Sequence, residues 1–199
     1  MNVWSNLSRR HMMTVGCMLS AALLFGCPPA EPPVVPTGKP APEVQAESGN
    51  GAGPATLAEA EGLVTIVDFW ATYCDPCRKS FPKYQEMVDK FAGKLVVIGV
   101  SVDDPEDAST EDIQAFADEL GVTFPIVWDK EQKTADAYKP AKMPTSFVID
   151  KKGNIRHVHA GYTPDEADVI VKEVEALLAE EAEAEMRVAD ANVAELEQI

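Results

Sequence analysis

An α/β fold with a mixed central sheet and helices on both faces is what this chain predicts, and three observations carry the prediction. Apolar segments of strand length alternate with segments whose apolar residues recur at helical spacing. The strand-like segments are nearly continuous in apolar residues, as in strands covered on both faces. The series closes with two strand-like segments around a turn-rich loop, which marks an antiparallel hairpin. The order reads βαβαβαββα, and connection rules place such a run in one layered domain.

The elements follow in order. Leu63 to Phe69 is the first strand, a central one, with Asp68 as its one charged residue. Residues 75–92 predict a helix, because Phe81, Tyr84, Met87, Val88 and Phe91 share one face. Leu95 to Val102 is a second buried strand, interrupted by Gly99. Residues 110–120 predict a helix capped by Thr110, with Ile113, Phe116, Ala117 and Leu120 inward. Val122 to Trp128 is a third strand, and residues 131–138 a short helix. Ser146 to Ile149 and Ile155 to Ala160 form the hairpin across residues 150–154. A last helix is capped by Thr163 or Asp165, with a core face of Val169, Ile170, Val174, Leu177 and Leu178.

Four segments are expected. Residues 1–26 carry Arg9 and Arg10, followed by an uncharged, mostly apolar stretch from Thr14 to Gly26, the order of an export signal. That stretch ends Leu24-Phe25-Gly26-Cys27, which resembles the bacterial lipobox; the resemblance implies lipidation of Cys27 and membrane attachment through it. Residues 27–55 read as a tether, since residues 28–54 hold eight of the 15 prolines, four of the 12 glycines and no aromatic residue. Residues 56–180 form the domain, and residues 181–199 an acidic helical tail. From 180 to 199 there are seven acids and one Arg, with Met186, Ala189, Val193 and Leu196 at helical spacing.

Charge narrows the function. Lys plus Arg is 17 against 33 Asp plus Glu, a net −16. Nucleic-acid binding needs clustered cations and is excluded as a partner class. No apolar run reaches the ~18–20 residues of a membrane span, so attachment must be covalent. Four cysteines are too few for a disulfide-built scaffold.

The chemistry lies at Cys74-Asp75-Pro76-Cys77, between a buried strand and a helix start. Zinc sites also use this spacing, and His157 and His159 could complete a ligand set. The context favours disulfide chemistry. Two sulfurs three residues apart on one helical turn can bond to each other. Cys74 at the helix N-terminus meets unpaired N–H groups that favour a thiolate, so it is the expected nucleophile. Cys77, one turn in, is the expected resolving thiol.

The stretch Val67-Asp68-Phe69-Trp70-Ala71-Thr72-Tyr73-Cys74-Asp75-Pro76-Cys77 resembles the active-site segment of thioredoxins. Pro82 falls where thioredoxins kink the active-site helix, Met143-Pro144-Thr145 resembles their cis-proline turn, and Gly161 matches the family glycine after the last strand. The helix and strand between Val102 and Pro144 resemble the insertion of TlpA/ResA-type proteins, which are extracytoplasmic, membrane-anchored oxidoreductases. The Ile149-Asp150-x-x-Gly153 hairpin fits that branch too.

The resemblance implies a thioredoxin-like fold with an inserted helix–strand unit. It also implies an exported, lipid-anchored thiol–disulfide oxidoreductase that needs no metal or organic cofactor, because the Cys pair carries the electrons. Its partners are a client protein with a disulfide, in cytochrome c or copper-site maturation, and an upstream membrane thiol reductant. Asp68, buried without a countercharge, should have a raised pKa and accept the Cys77 proton. Trp70 and Tyr73 are expected to flank the sulfurs and, with Pro76, Met143 and Thr145, to meet the substrate. A cis Pro144 would turn the Met143 backbone toward Cys74, offering an edge for an extended chain. Ser80 stands where many relatives carry Glu, and Gly99 about where thioredoxins carry a lysine near the buried Asp.

Two other functions use a reactive cysteine or cysteine pair. A peroxiredoxin pattern needs Thr three residues before its cysteine and Pro four before that; Ala71 and Val67 stand there. A copper metallochaperone using Cys74, Cys77 and His157 or His159 is the alternative function, although the histidines read more simply as solvent-facing. The anchor is directly testable: wild-type protein should fractionate with membranes, and Cys27→Ser should release it or accumulate an uncleaved precursor. Wholly soluble wild-type protein would rule the anchor out.

Overall fold

The computed structural model describes residues 35–196; the export signal, its arginines and Cys27 lie outside them. Ten elements follow in order: β1 (Glu47–Ser48), β2 (Val64–Trp70), α1 (Asp75–Lys90), β3 (Leu95–Ser101), α2 (Thr110–Leu120), β4 (Ile126–Trp128), α3 (Lys133–Tyr138), β5 (Thr145–Ile149), β6 (Ile155–Ala160) and α4 (Pro164–Leu196). Six strands form one sheet in the order β1-β4-β3-β2-β5-β6. β2 runs parallel to β3, and β3 to β4, while β5, β6 and β1 join antiparallel. This is the mixed sheet that the alternating segments and terminal hairpin predict.

All seven residues of β2 are buried, because layers cover both faces. Val64, Ile66 and Trp70 face a core built with Phe81, Tyr84 and Met87 of α1, Ile113 and Phe116 of α2, and Ile170, Val174 and Leu177 of α4. Val67 and Phe69 face a second core with Ile98, Val100, Phe147 and Tyr138 of α3. Helices thus lie on both faces, three on one side and the short α3 on the other. The alternation that places Asp68 with Trp70 on the α1 side follows from the two-residue period of a strand.

The expected tether needs correction over residues 35–55. This stretch is packed: Val44 is buried in the second core, Pro40 bridges to Asn154, and β1 pairs with β4. Tyr138 donates from Oη to the Pro42 carbonyl at 2.6 Å, and Gln45 N donates to Thr134 Oγ1 at 3.0 Å. Proline-rich composition describes what a segment lacks by itself; here α3 and the β5–β6 hairpin supply the partners. The sheet face that α3 is too short to cover is closed by this strap.

Smaller corrections have local causes. The α2 cap is Ser109 rather than Thr110, because its hydroxyl accepts from Asp112 N while the Asp112 carboxylate accepts from Ser109 N, a reciprocal box. The third strand begins at Ile126, after Pro125, although Val122 and Phe124 are buried. On α4, Ala167 takes the inward place expected for Val169, which is 45% exposed. The helix continues to Leu196, and Met186 on its extension is exposed. Among the described residues no helix is long and apolar enough to cross a membrane.

Tyr138→Phe tests the strap. Loss of the bond to Pro42 should destabilise the fold by about 1 kcal/mol in a denaturant titration. It should also speed amide exchange at Val44 and Gln45, leaving β2 amides protected.

Candidate active site

The site starts at the C-terminal end of β2, where Ala71 to Tyr73 turn the chain into α1. Cys74 is the N-cap of α1, with φ −88° and ψ 96°, and its sulfur accepts from Cys77 N at 3.2 Å. Proline in the first turn, Pro76, has a φ suited to a helix start and no N–H to leave unpaired. The spacing of one turn brings Cys74 and Cys77 together as a disulfide, with 5.3 Å between their Cα atoms. Cys74 is 6% exposed and Cys77 fully buried, so an incoming group meets Cys74 first.

The other expected residues separate into two sets. Trp70 is buried, its ring 5.0 Å from that of Phe81 and 4.4 Å from that of Phe116. Tyr73 is 69% exposed beside Cys74 in sequence. Trp70 therefore packs the floor, while Tyr73 offers an aromatic surface. The Met143–Pro144 bond is cis, and the Pro144 carbonyl accepts from Gly161 N at 2.7 Å. Met143 is partly buried against the first core. Thr145 is fully buried and its hydroxyl donates to Lys142 O, so its side chain is turned inward. Ser80 is also buried, donating to Cys77 O at 3.1 Å.

Asp68 lies fully buried in β2. Its Oδ1 accepts from Ser146 Oγ at 2.7 Å and Tyr84 Oη at 3.1 Å, while Oδ2 is buried with no hydrogen-bond partner among the described residues. Burial raises the carboxyl to about 7, and the bonds from Ser146 and Tyr84 pull the other way. Tyr84 is pushed well above its usual value, first by burial and then by the neighbouring Asp68 charge. The strand residue paired with Asp68 on β3 is Gly99. A Cβ there would sit 2.8 Å from Ile126 Cδ1 and 3.3 Å from Trp70 Nε1, so the glycine admits the indole.

Sequence reasoning missed three residues. Tyr84 reads as a core residue of α1, yet it lies two helical turns after Cys77 on the inward face. Ser146 reads as a strand start, and only the register Asp68↔Ser146 reveals its partner. Asp103 follows a strand and looks like a loop acid, but it is 1% exposed. Its carboxylate accepts from Thr72 N at 3.0 and 3.1 Å, Thr72 Oγ1 at 2.6 Å and Ser101 Oγ at 2.8 Å. That clamp fixes the loop two residues before Cys74. The available signal is the buried strand ending at Ser101 together with the hydroxyl at Thr72, two features far apart in sequence.

The histidines differ from the expected pair of solvent-facing rings: the His157 side chain is 38% exposed, as expected, but that of His159 only 12%. His159 is bonded by Nε2 to Glu173 at 2.6 Å and by Nδ1 to Glu166 at 3.2 Å, while His157 Nδ1 lies 3.2 Å from Glu173. Both are tied to α4. Among the described residues, no three His, Cys, Asp or Glu side chains come together in a way that could hold a metal ion.

The chain is similar to known proteins. The model of the AhpC/TSA family matches residues 37–158. The chain belongs to the AhpC/TSA family. Its resemblance within that family is to thioredoxin-like proteins of the TlpA/ResA type. It is 37% identical over 107 residues to the thioredoxin-like protein YneN of Bacillus subtilis, covering 54% of this chain and 62% of that one. It is 36% identical over 106 residues to the thiol-disulfide oxidoreductase ResA of Halalkalibacterium halodurans, covering 53% and 58%. A crystal structure of a DsbE-type thiol:disulfide interchange protein from Chlorobium tepidum superimposes with TM-score 0.65 and 31% identity, covering 72% of this chain and 99% of that one. The matches thus span about three fifths of the curated relatives and nearly all of the solved domain. The thioredoxin-like fold is thereby confirmed.

Asp68 gives a pH-dependent stability. Folding raises its pKa from 3.8 to about 7, so the folded protein holds this proton more tightly than the unfolded chain. Stability should fall as pH rises between those values. Asp68→Asn should be more stable than wild type by an amount on the order of 4 kcal/mol at about pH 8, because each pH unit between the two values is worth roughly 1.4 kcal/mol. The gap should close toward about pH 4. Denaturant midpoints across that range check it; parallel curves for the two proteins contradict it.

Proposed function

We propose that the protein is an extracytoplasmic, lipid-anchored thiol–disulfide oxidoreductase that reduces disulfides in specific client proteins. The observation that carries this reading is the Cys74–Cys77 pair at the start of α1, with Cys74 at the N-cap and Cys77 buried one turn in. Resemblance to TlpA/ResA-type proteins supports a client in cytochrome c or copper-site maturation and an upstream membrane thiol reductant. The cysteine pair itself carries the two electrons, with no metal or organic cofactor.

The geometry supports a sequence of steps. In the reduced form the Cys74 thiolate, favoured by N–H groups at the helix start, attacks a client disulfide. One client sulfur bonds to Cys74 and the other leaves as a thiolate. Cys77 gives its proton to Asp68 and attacks Cys74, forming the internal disulfide and releasing the second client sulfur. Two electrons pass to the client, and the client thiolates take up protons. The Tyr73 ring and the backbone at Met143–Pro144 are the surfaces on which an extended client chain rests. With the histidines held by glutamates, no observation favours the metallochaperone alternative.

Two measurements on the reduced protein test the division of labour. Alkylation near neutral pH should label Cys74 before Cys77. Cys77→Ser should accumulate mixed disulfides through Cys74, while Cys74→Ser should accumulate none. Faster labelling of Cys77, or trapping by the wrong variant, would reverse the assignment.

A further inference from the structure

Asp68 is held in an uncommon way for a buried carboxyl. Its two oxygens have different surroundings. Oδ1 lies 2.7 Å from Ser146 Oγ and 3.1 Å from Tyr84 Oη, and those two hydroxyls are 2.5 Å apart. Oδ2 has no partner among the described residues. The three groups come from three elements, β2, α1 and β5, and all three are at most 1% exposed. Ser146 stands two residues after Pro144, and Tyr84 seven after Cys77, so the elements that carry the proposed client edge and the resolving thiol meet at this carboxyl.

We propose that Tyr84 and Ser146 are positioning residues for proton transfer, which anchor Asp68 through Oδ1 and leave Oδ2 as the atom that takes the Cys77 proton. This rests on the reading of Asp68 as the base for Cys77. A buried carboxylate without donors would stay protonated at neutral pH and could accept nothing. The bonds from Ser146 and Tyr84 favour the ionised form and oppose the effect of burial. Two hydroxyls share the task because the strand residue on the other side is Gly99, which brings no donor. Both hydroxyls also stay neutral when Asp68 is ionised, since burial and the Asp68 charge hold the Tyr84 proton in place. Among the described residues, His159 faces this site across β5 and is bonded to Glu166 and Glu173 of α4, while Tyr162 and Lys83 lie outside the buried cluster.

In the step itself the Cys77 S–H bond breaks and its proton bonds to Oδ2. The sulfur then forms the bond to Cys74 as the Cys74–client bond breaks, and its electron pair leaves with the client sulfur. Neither Tyr84 nor Ser146 gives up its proton.

The test uses the reduced full chain with dithiobis(nitrobenzoate) as the probe disulfide. Attack by Cys74 releases one coloured thiolate, and resolution by Cys77 releases the second. In Tyr84→Phe and Ser146→Ala the first phase should be unchanged. The pH midpoint of the second should rise by roughly one unit, which slows it about five-fold at pH 7, and about ten-fold at pH values well below both midpoints. The double variant should move further the same way, and raising the pH should restore its rate. A midpoint equal to wild type in the double variant, while Asp68→Asn loses the pH-dependent phase, overturns the positioning role alone. A second phase in Asp68→Asn identical to wild type removes the base reading and this proposal with it. Tyr84→Phe keeps the ring that fills the core, so it separates the hydroxyl from the packing.

Discussion

The structure turns on a carboxyl group buried in the middle strand of a sheet. Asp68 has no exposed surface, and transferring a charge into such a place is strongly unfavourable unless donors meet it. Tyr84 and Ser146 face it with hydroxyls, Gly99 leaves room for the Trp70 indole beside it, and α1 and α4 close the layer above. The outcome is an acid held near neutrality, which destabilises the fold at high pH and suits proton exchange with a thiol.

A second buried carboxylate shows the contrast. Asp103 is as deeply placed as Asp68, but both its oxygens are occupied, by Thr72 and Ser101. Its role is mechanical: it holds the loop from β2 to α1 so that Cys74 caps the helix. Two acids of similar burial therefore differ in the number of donors each receives. Arg78, which could have attended the cysteine pair, instead lies over Phe116 and bonds Glu119 at 2.8 Å.

Much of this was legible in the sequence, for physical reasons. Strands covered on both faces leave continuous apolar runs, so β2, β3 and the β5–β6 hairpin stood out. The pair of cysteines between a strand and a helix start announced its chemistry, and an acid within an apolar run announced Asp68. What stayed hidden depends on pairing between distant segments. The link from Asp68 to Ser146 spans 78 residues and exists only through strand register. The strap over residues 35–55 looked like a tether because its composition is poor in core-forming residues, while its stability comes from Tyr138, Thr134 and Asn154 elsewhere. His159 looked exposed on an outer strand, but α4 brings Glu166 and Glu173 against it, while His157 keeps an exposed ring near Glu173.

If Asp68 serves the dithiol as its base, it exchanges protons with the thiols at neutral pH. Its carboxyl carbon can be followed directly by carbon-13 NMR through a pH titration of the wild-type protein, once as the disulfide and once reduced. The expected midpoint is near 7 in the disulfide form, and different after reduction, because the thiols then titrate beside it. An ordinary carboxyl midpoint, identical in both forms, would contradict it.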